Sequence, residues 1–214
     1  CLIEEQEGGN DCATNSMLFV PIIIKDNVLG GISLQSYKKQ AYKLSDLTAL
    51  KIVSTYLGIA LENSRLYKTV EYNANYDGLT GIFNRRKAID KASQLINKEK
   101  HGNNDYYIVM IDGDNFKKIN DKYGHVVGDK VLIHIANIIK ANLEKDEICG
   151  RYGGEEFIVI MNDKDNNIKE RLEKIRHTIE SSKVSIEEEK YITVTVSIGA
   201  SKINFSLETL EENI

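Results

Sequence analysis

The 214-residue sequence lacks the features that mark several protein classes. It has no tryptophan, one proline and three cysteines; Cys1, Cys12 and Cys149 are too few and too widely spaced to indicate a disulfide framework or a zinc site. Its net charge of -4 gives no electrostatic basis for nucleic acid as a partner. No apolar run approaches the ~20 residues of a membrane span, and no signal peptide is evident. These absences predict a cytoplasmic protein whose residues make no direct membrane contact.

What is present is an ordinary globular composition, with 42% hydrophobic and 28% charged residues. The length suits one full domain and part of another. Because the chain opens on Cys1 rather than on Met, we expect it to be a piece of a longer polypeptide. We predict a first region over residues 1–72 and a second region over residues 73–214.

The first region predicts a β-hairpin followed by a long helix. Two apolar runs, at 17–24 and 28–34, flank turn residues at 25–27. The helix is expected from about residue 45 to 72, with Ser45 as its N-cap. Its apolar residues recur every three or four positions, which predicts a face covered by its own domain or by a partner helix. That predicted stripe consists of Leu47, Leu50, Val53, Leu57, Leu61 and Val70.

The second region mixes predicted helices and strands around a turn, which is typical of a compact α/β domain. The predicted elements, in order, are a turn at 77–81, a helix at 84–98, a strand at 106–111, a short helix at 115–123, a loop at 124–128, a helix at 129–143, a hairpin of strands at 147–152 and 155–161, a helix at 167–181, a half-buried strand at 192–198 and the start of a helix at 207–210.

The most informative segment is the tip of that hairpin. Gly153 and Gly154 allow a tight turn, and Glu155 and Glu156 place two carboxylates beside it. By itself the segment also fits a solvated surface turn, because short motifs match many unrelated proteins. Asp112 adds a third acid at a strand end, where α/β folds often place ligand groups, although an acid there also commonly caps the next helix. Clustered acids repel one another unless a cation neutralises them, and Mg²⁺ with substrate phosphate suits such a set.

A second group of polar residues suggests that the site reads guanine. Lys117 and Asn120 share one face of the short helix, and Lys117 suits a phosphate as a point charge. Asp129 accepts from the N1–H and amine of guanine, while the amide of Asn120 offers a donor and an acceptor. Adenine would leave the carboxylate facing an acceptor, at a cost of about 1–3 kcal/mol. Alone, Asp129 is more simply a first-turn acid favoured by the helix dipole.

Two long segments closely resemble the GGDEF diguanylate cyclases. They are residues 112–129, with the sequence DGDNFKKINDKYGHVVGD, and residues 151–157, with the sequence RYGGEEF. Residues 77–86 are similar to that family's opening turn and helix, and residues 194–199 to its late strand. The resemblance covers about residues 77–203 and implies an α/β (α+β) fold. Its central sheet would be mainly antiparallel and flanked by helices, related to nucleotide-cyclase and polymerase-palm folds.

The first region looks like the second half of a GAF sensor domain, an α/β domain that would bind an unknown small molecule. Its hairpin and the helix ending in ALENSRLY, at residues 60–67, carry this likeness. The helix at about 45–72 would be a signalling helix that joins the two regions and forms a homodimer.

The GGDEF resemblance implies a bacterial enzyme that condenses two GTP molecules into cyclic di-GMP and two pyrophosphates across that homodimer. Asp112 and Glu155 would be catalytic, with Glu155 helping to deprotonate the attacking 3′-hydroxyl. Two Mg²⁺ ions, or Mn²⁺, would be held by Asp112, the carbonyl of Gly113, Glu155 and Glu156. The implied substrate-binding residues are Phe116, Lys117, Asn120, Asp129, Gly153 and Gly154.

The sequence also departs from the family pattern. Gly113 replaces an apolar residue, so we expect a looser strand end. The family's Arg-x-x-Asp product-inhibition pattern falls on Glu144 and Glu147, so we predict no inhibition through that site. The family's last helix is not found before Ile214, so weak GTP binding and turnover are expected. The alternatives are a weakly active GTP-binding or dimerisation module, and a cyclase with an adenine product, against which Asp129 argues.

Overall fold

The computed structural model describes residues 14–99, 105–187 and 190–204. The chain divides into two compact units, unit 1 at Cys1–Glu71 and unit 2 at Tyr72–Ile214. The helix start predicted at 207–210 lies outside the described residues, as do Cys1 and Cys12.

Unit 1 contains the predicted hairpin. Strands β1 (Ser16–Ile24) and β2 (Asn27–Ser36) pair antiparallel. Helix α1 (Leu44–Asn75) begins in this unit and buries Leu50, Ser54 and Gly58. Leu18, Val20 and Leu50 form a small core between the hairpin and the helix. The Ser54 hydroxyl donates to the Pro21 carbonyl at 2.7 Å, so a polar side chain contributes to this contact.

One prediction about α1 was wrong. The helix begins at Leu44, so Ser45 is not its N-cap; instead the Asp46 carboxylate accepts from the Lys43 N–H at 2.7 Å. An acid in the first turn satisfies a backbone donor that has no partner within the helix. In the predicted apolar stripe Leu50 is buried against the hairpin, whereas Val53 and Val70 are 54% and 66% exposed in the single chain, so their cover by a partner helix stays a prediction.

Among the described residues, only helix α1 is long and apolar enough to cross a membrane when judged by length and composition. Charged residues such as Asp46 and Lys51 interrupt its apolar sequence.

Unit 2 is built on a five-stranded sheet with the strand order β3-β5-β6-β4-β9. Neighbouring strands pair antiparallel except β3 with β5, which confirms the predicted fold class. Its elements are β3 (Phe83–Asn84), α2 (Arg85–Glu99), β4 (Tyr106–Gly113), α3 (Phe116–Tyr123), α4 (His125–Ala141), β5 (Ile148–Arg151), β6 (Glu156–Asn162), α5 (Ile168–Ser181), β7 (Val184–Glu187), β8 (Lys190–Ile192) and β9 (Val196–Lys202).

Helices cover both faces of the sheet and bury the central strands. Val109 and Ile111 of β4 belong to the core that contains residues of α4 and α5. Ile108 belongs to a second core with residues of α2, because successive strand residues point to opposite faces. A continuous apolar run is therefore needed in β6, where Phe157 and Met161 are fully buried.

Two predicted boundaries in unit 2 were also wrong. Helix α4 begins at His125, so the predicted loop at 124–128 is mostly helix. Gly124 makes the connection alone: its φ of 82° redirects the chain, and its N–H donates to the Asn120 carbonyl at 2.8 Å. The predicted strand at 192–198 is two strands in different sheets, with β8 paired to β7 and β9 to β4.

Candidate active site

Three strand positions meet at one end of the sheet. Asp112 of β4 lies directly opposite Glu156 of β6 on one side and Ser197 of β9 on the other. Directly opposite residues place their side chains on the same face of a sheet. These three residues line an open cavity of about 300 Å³, and both acids are exposed to solvent.

Backbone hydrogen bonds fix the hairpin tip beside Asp112. The Gly113 N–H donates to the Glu155 carbonyl at 3.2 Å. The N–H groups of Tyr152 and Gly153 both donate to the Glu156 carbonyl, at 2.8 and 3.2 Å. Gly113 is buried and paired with Val196 of β9, so the looser strand end expected from this glycine is not observed.

The two glycines of the tip have different roles. Neither adopts a positive φ; among the described glycines, Gly81 and Gly124 do. A side chain at Gly153 would collide with the carboxylate of Glu156, whereas Gly154 faces open space. Gly153 therefore makes room for an acid, and Gly154 leaves the backbone accessible to a ligand.

The acids at the tip fit a hard cation. In the part of the chain that the structure describes, the carboxylates of Asp112, Glu155 and Glu156 have no hydrogen-bond or ion-pair partner. Carboxylates and a backbone carbonyl, such as that of Gly113, suit Mg²⁺ or Mn²⁺. No group of three acidic, histidine or cysteine side chains able to hold a metal occurs among the described residues. This set fits Mg²⁺ bound by one or two carboxylates together with substrate phosphates.

Asp114, two residues beyond Asp112, differs from the three acids at the tip. Its carboxylate accepts from the hydroxyls of Thr195 and Ser197 at 2.6 and 2.7 Å. This acid joins the end of β4 to β9 and is already satisfied by neutral donors.

Gly128 leaves the space that the side chain of Asn120 occupies. A Cβ at Gly128 would collide with Oδ1 of Asn120 and would approach Cζ of Phe116 at 3.1 Å. Oδ1 of Asn120 is buried and has no hydrogen-bond partner within the described residues. A buried acceptor without a donor costs about 1–3 kcal/mol, so this atom suits a ligand that brings an N–H group. The sequence analysis missed Gly128, because its role depends on contact between two helices.

The other predicted base and phosphate contacts lie on the same two helices. Asp129 follows Gly128 in α4 and is exposed. It is the fifth residue of the helix, so the alternative of a first-turn acid does not hold. Lys117 of α3 is also exposed, and its amine has no partner among the described residues.

Arg151 and Asp77 form a link that the sequence analysis did not identify. Nη1 of Arg151 lies 3.3 Å from both carboxylate oxygens of Asp77, while Nη2 donates to the Gly154 carbonyl at 2.7 Å. Thr80 donates to Asp77 through its N–H at 2.9 Å and its hydroxyl at 2.6 Å. Burial alone would raise the pKa of Asp77, but the bonds from Thr80 and the charge of Arg151 outweigh it and lower the pKa. In the sequence these two residues were marked only by their opposite charges, with Asp77 at the start of the segment 77–86 and Arg151 at the start of the segment 151–157.

Glu147, at one of the two product-inhibition positions, has a structural role. Arg171 donates to the two oxygens of Glu147 at 2.7 and 2.6 Å. The N–H groups of Glu144 and Asn162 also donate to that carboxylate, at 2.8 and 3.0 Å. The hydrogen bond with Glu147 raises the pKa of Arg171, and the Glu147 side chain is only 2% exposed. Glu147 therefore faces the protein interior rather than a ligand.

The chain is similar to known proteins along most of its length. Residues 74–214 match the family model described as diguanylate cyclase, GGDEF domain. Diguanylate cyclase A of Treponema denticola is 32% identical over 197 residues, which are 89% of this chain and 52% of that protein. The chain spans about half of the length, or less, of the curated relatives it matches.

Solved structures share the fold. The coiled coil and GGDEF domain of DgcB from Caulobacter crescentus gives a TM-score of 0.66 at 24% identity, covering 76% of this chain and 86% of that one. The diguanylate cyclase SiaD from Pseudomonas aeruginosa, in complex with its activator SiaC, gives 0.58 at 28% identity, covering 75% and 62%. Since the family model matches more than half of the sequence, the chain belongs to the GGDEF diguanylate cyclase domain family.

Proposed function

We propose that this chain is the catalytic part of a diguanylate cyclase that condenses two GTP molecules into cyclic di-GMP and two pyrophosphates. The observation that carries the proposal is the acid set at the ends of β4 and β6. Asp112, Glu155 and Glu156 lie beside an accessible glycine turn and have no cationic partner among the described residues. Such acids suit a metal-assisted reaction of phosphates.

In this proposal Asp112, the Gly113 carbonyl, Glu155 and Glu156 hold two Mg²⁺ ions, for which Mn²⁺ is an alternative. When bound, the ions neutralise phosphate charge and stabilise the attacking and leaving oxygens. Glu155, held beside Asp112 by the bond from the Gly113 N–H, accepts the proton of the attacking 3′-hydroxyl. The oxygen then attacks the α-phosphate, and pyrophosphate leaves.

Recognition of the substrate is assigned to α3 and α4. Oδ1 of Asn120 accepts from guanine, and Asp129 accepts from its N1–H and amine. Phe116 packs beside Gly128 and forms a wall next to the amide of Asn120. Lys117 contacts phosphate, and Gly154 lets the backbone approach it. Product inhibition through Glu144 and Glu147 is not expected, because Glu147 is bound by Arg171.

The reaction needs two copies of the chain, since each GTP supplies the hydroxyl that attacks the other. We propose a homodimer formed through α1 in the cytoplasm. We further propose that unit 1 belongs to a GAF sensor whose small-molecule ligand changes how two α1 helices pair. A similar diguanylate cyclase, SiaD, is controlled by an activator protein, so an external regulator is compatible with this family.

The test is turnover by the 214-residue chain and by the full-length protein that contains it, with GTP and Mg²⁺. We expect cyclic di-GMP by mass spectrometry, pyrophosphate in twofold amount, no product from ATP and no product from the Asp112→Ala variant. The absence of cyclic di-GMP at every concentration of the full-length protein would contradict the proposal.

A second candidate is a GTP-binding or dimerisation module without turnover. It is favoured by one observation, namely that the described residues form no group of three side chains able to hold a metal. Calorimetry separates the two candidates, because this module would bind GTP stoichiometrically in the full-length protein and release no pyrophosphate.

A further inference from the structure

Two acids near the end of β4 differ in their hydrogen bonding. Within the described residues the carboxylate of Asp112 has no hydrogen-bond or ion-pair partner, whereas that of Asp114 accepts two hydroxyls. Thr195 donates to Oδ2 of Asp114 at 2.6 Å, and Ser197 donates to Oδ1 at 2.7 Å. Both distances are at the short end of the range for hydroxyl donors, as expected when the acceptor is an ionised carboxylate.

Ser197 lies opposite Asp112 in the register of β4 and β9, but its hydroxyl is bound to Asp114. Directly opposite residues have Cβ atoms about 4.5–5.5 Å apart, which is within hydrogen-bonding reach for a hydroxyl and a carboxylate. Because an ionised carboxylate only accepts, Ser197 donates its single hydroxyl proton to Asp114. That proton is then withheld from Asp112.

A hydroxyl that donated to Asp112 would do so on the side where a cation is expected, since Asp112, Glu156 and Ser197 line the same open cavity. Hydrogen-bond donors and hard cations use the same lone pairs of a carboxylate. While Ser197 is bound to Asp114, both oxygens of Asp112 remain free for a cation.

Asp114 also fixes the turn between β4 and α3. Its N–H donates to the Thr195 carbonyl at 3.1 Å, so its main chain and its side chain bind the same residue. The next residue, Asn115, has a φ of 55°, which is uncommon for a residue with a side chain. Three hydrogen bonds to Thr195 and Ser197 therefore hold Asp114 in place at this turn.

We propose that Asp114 is a positioning residue for the neighbouring acid: it holds the Ser197 hydroxyl away from Asp112 and so raises the affinity of Asp112 for a divalent cation. This rests on the proposed function, because Asp112 is a metal ligand only in that function. Asp114 itself is assigned no contact with the cation.

Mn²⁺ binding by the full 214-residue chain tests this role, with the free ion measured by electron paramagnetic resonance and no nucleotide present. Asp114→Ala releases the Ser197 hydroxyl towards Asp112, so we expect the Mn²⁺ affinity to fall about tenfold. Adding Ser197→Ala removes the released proton. The double variant should therefore recover to within about threefold of the parent, the remainder being the lost charge of Asp114 as screened by salt. A merely structural role for Asp114 predicts no such rescue.

The matched control is Asp105→Ala. Asp105 also joins β4 to β9, through a 2.6 Å bond from Lys202, but at the opposite end of the two strands. Its removal should leave the Mn²⁺ affinity of the parent. Thr195→Val should also keep that affinity, because Ser197 stays bound to Asp114. Urea unfolding checks that each variant folds, and Asp114→Asn, which preserves the side-chain volume, takes the place of Asp114→Ala if the alanine variant does not.

Three results would overturn the proposal: equal Mn²⁺ affinities for Asp114→Ala and the double variant, an equal loss in Asp105→Ala, or Mn²⁺ binding by the parent that Asp112→Ala does not reduce. None of these measurements uses GTP. Rescue by Ser197→Ala without formation of cyclic di-GMP by the full-length protein would count against the proposed function alone. Turnover by the full-length protein without that rescue would count against the role of Asp114 alone.

Discussion

The two units differ in where their apolar side chains lie. In unit 2 the central strand β6 is buried on both faces, with Phe157 and Met161 fully enclosed. In unit 1 the described core is small, and large side chains such as Tyr56 and Val70 remain exposed along α1. Exposed apolar residues in such a row mark an interaction surface. The described part of unit 2 is therefore stabilised by its own packing, whereas the exposed side of α1 suits the association that we propose.

The largest effect expected from this comparison is on folding. Phe157→Ala should destabilise unit 2 by about 3–5 kcal/mol, because it leaves a cavity in a fully buried strand. Val70→Ala removes an exposed side chain and should change the unfolding free energy of the isolated chain by less than about 0.5 kcal/mol at low protein concentration. Urea unfolding of both variants checks this. Similar losses for the two would show that the contrast between the units is wrong.

The next effect is on catalysis and is confined to unit 2. Asp112→Asn keeps the shape of the side chain but removes a charge from the acid set, and turnover should fall about 10²–10³-fold. Asp121→Asn, an exposed position on α3, is the matched control and should keep the parent rate. Pyrophosphate release under saturating GTP measures both. A rate for Asp112→Asn equal to that of its control would exclude Asp112 from the reaction.

A weaker effect is expected on the preference for guanine over adenine nucleotides. Asp129→Ser removes the acceptor for two guanine donors, so the preference for GTP over ATP in kcat/KM should fall about tenfold, or ~1.4 kcal/mol. Asp121→Ser is the control, since it makes the same change on the neighbouring helix. An unchanged preference would show that Asn120 alone, or another residue, reads the base.

Much of unit 2 could be predicted from the sequence, because its signals are local. The apolar run of β6 and the two glycines before it indicate a buried strand and a turn without knowledge of any other element. The start of α4 could not be predicted, since no residue in 124–128 shows that Gly124 alone, with its φ of 82°, turns the chain into the next helix. The gap between β8 and β9 was also missed, because the alternation of apolar and polar residues continues across it.

The candidate site also has some features that the sequence predicts and others that only the fold shows. The acids at positions 112, 155 and 156 follow from their places at strand ends, although only the pairing of β4 with β6 shows that they meet. The burial of Asn120 against Gly128 requires two helices to be in contact, which no spacing reveals. Arg151 and Asp77 are 74 positions apart, so their contact depends on the completed fold.

The smallest effect is expected at the ion pair between Arg151 and Asp77, which lies wholly in unit 2. Asp77→Asn keeps an acceptor for Thr80 but loses the charge facing Arg151, so we expect a destabilisation of about 0.2–1 kcal/mol at pH 7. The pKa of Asp77 is lower in the folded chain than the usual aspartate value of 3.8. The stabilisation is therefore fully present above that value and is lost as the pH falls through the lower, folded-state pKa. The difference between parent and variant should vanish at strongly acidic pH. Hydrogen exchange followed by mass spectrometry can locate the effect, which should appear in β5 and β6 and leave β1 and β2 unchanged. Loss of protection in the hairpin of unit 1 would mean that the two units do not stabilise themselves independently.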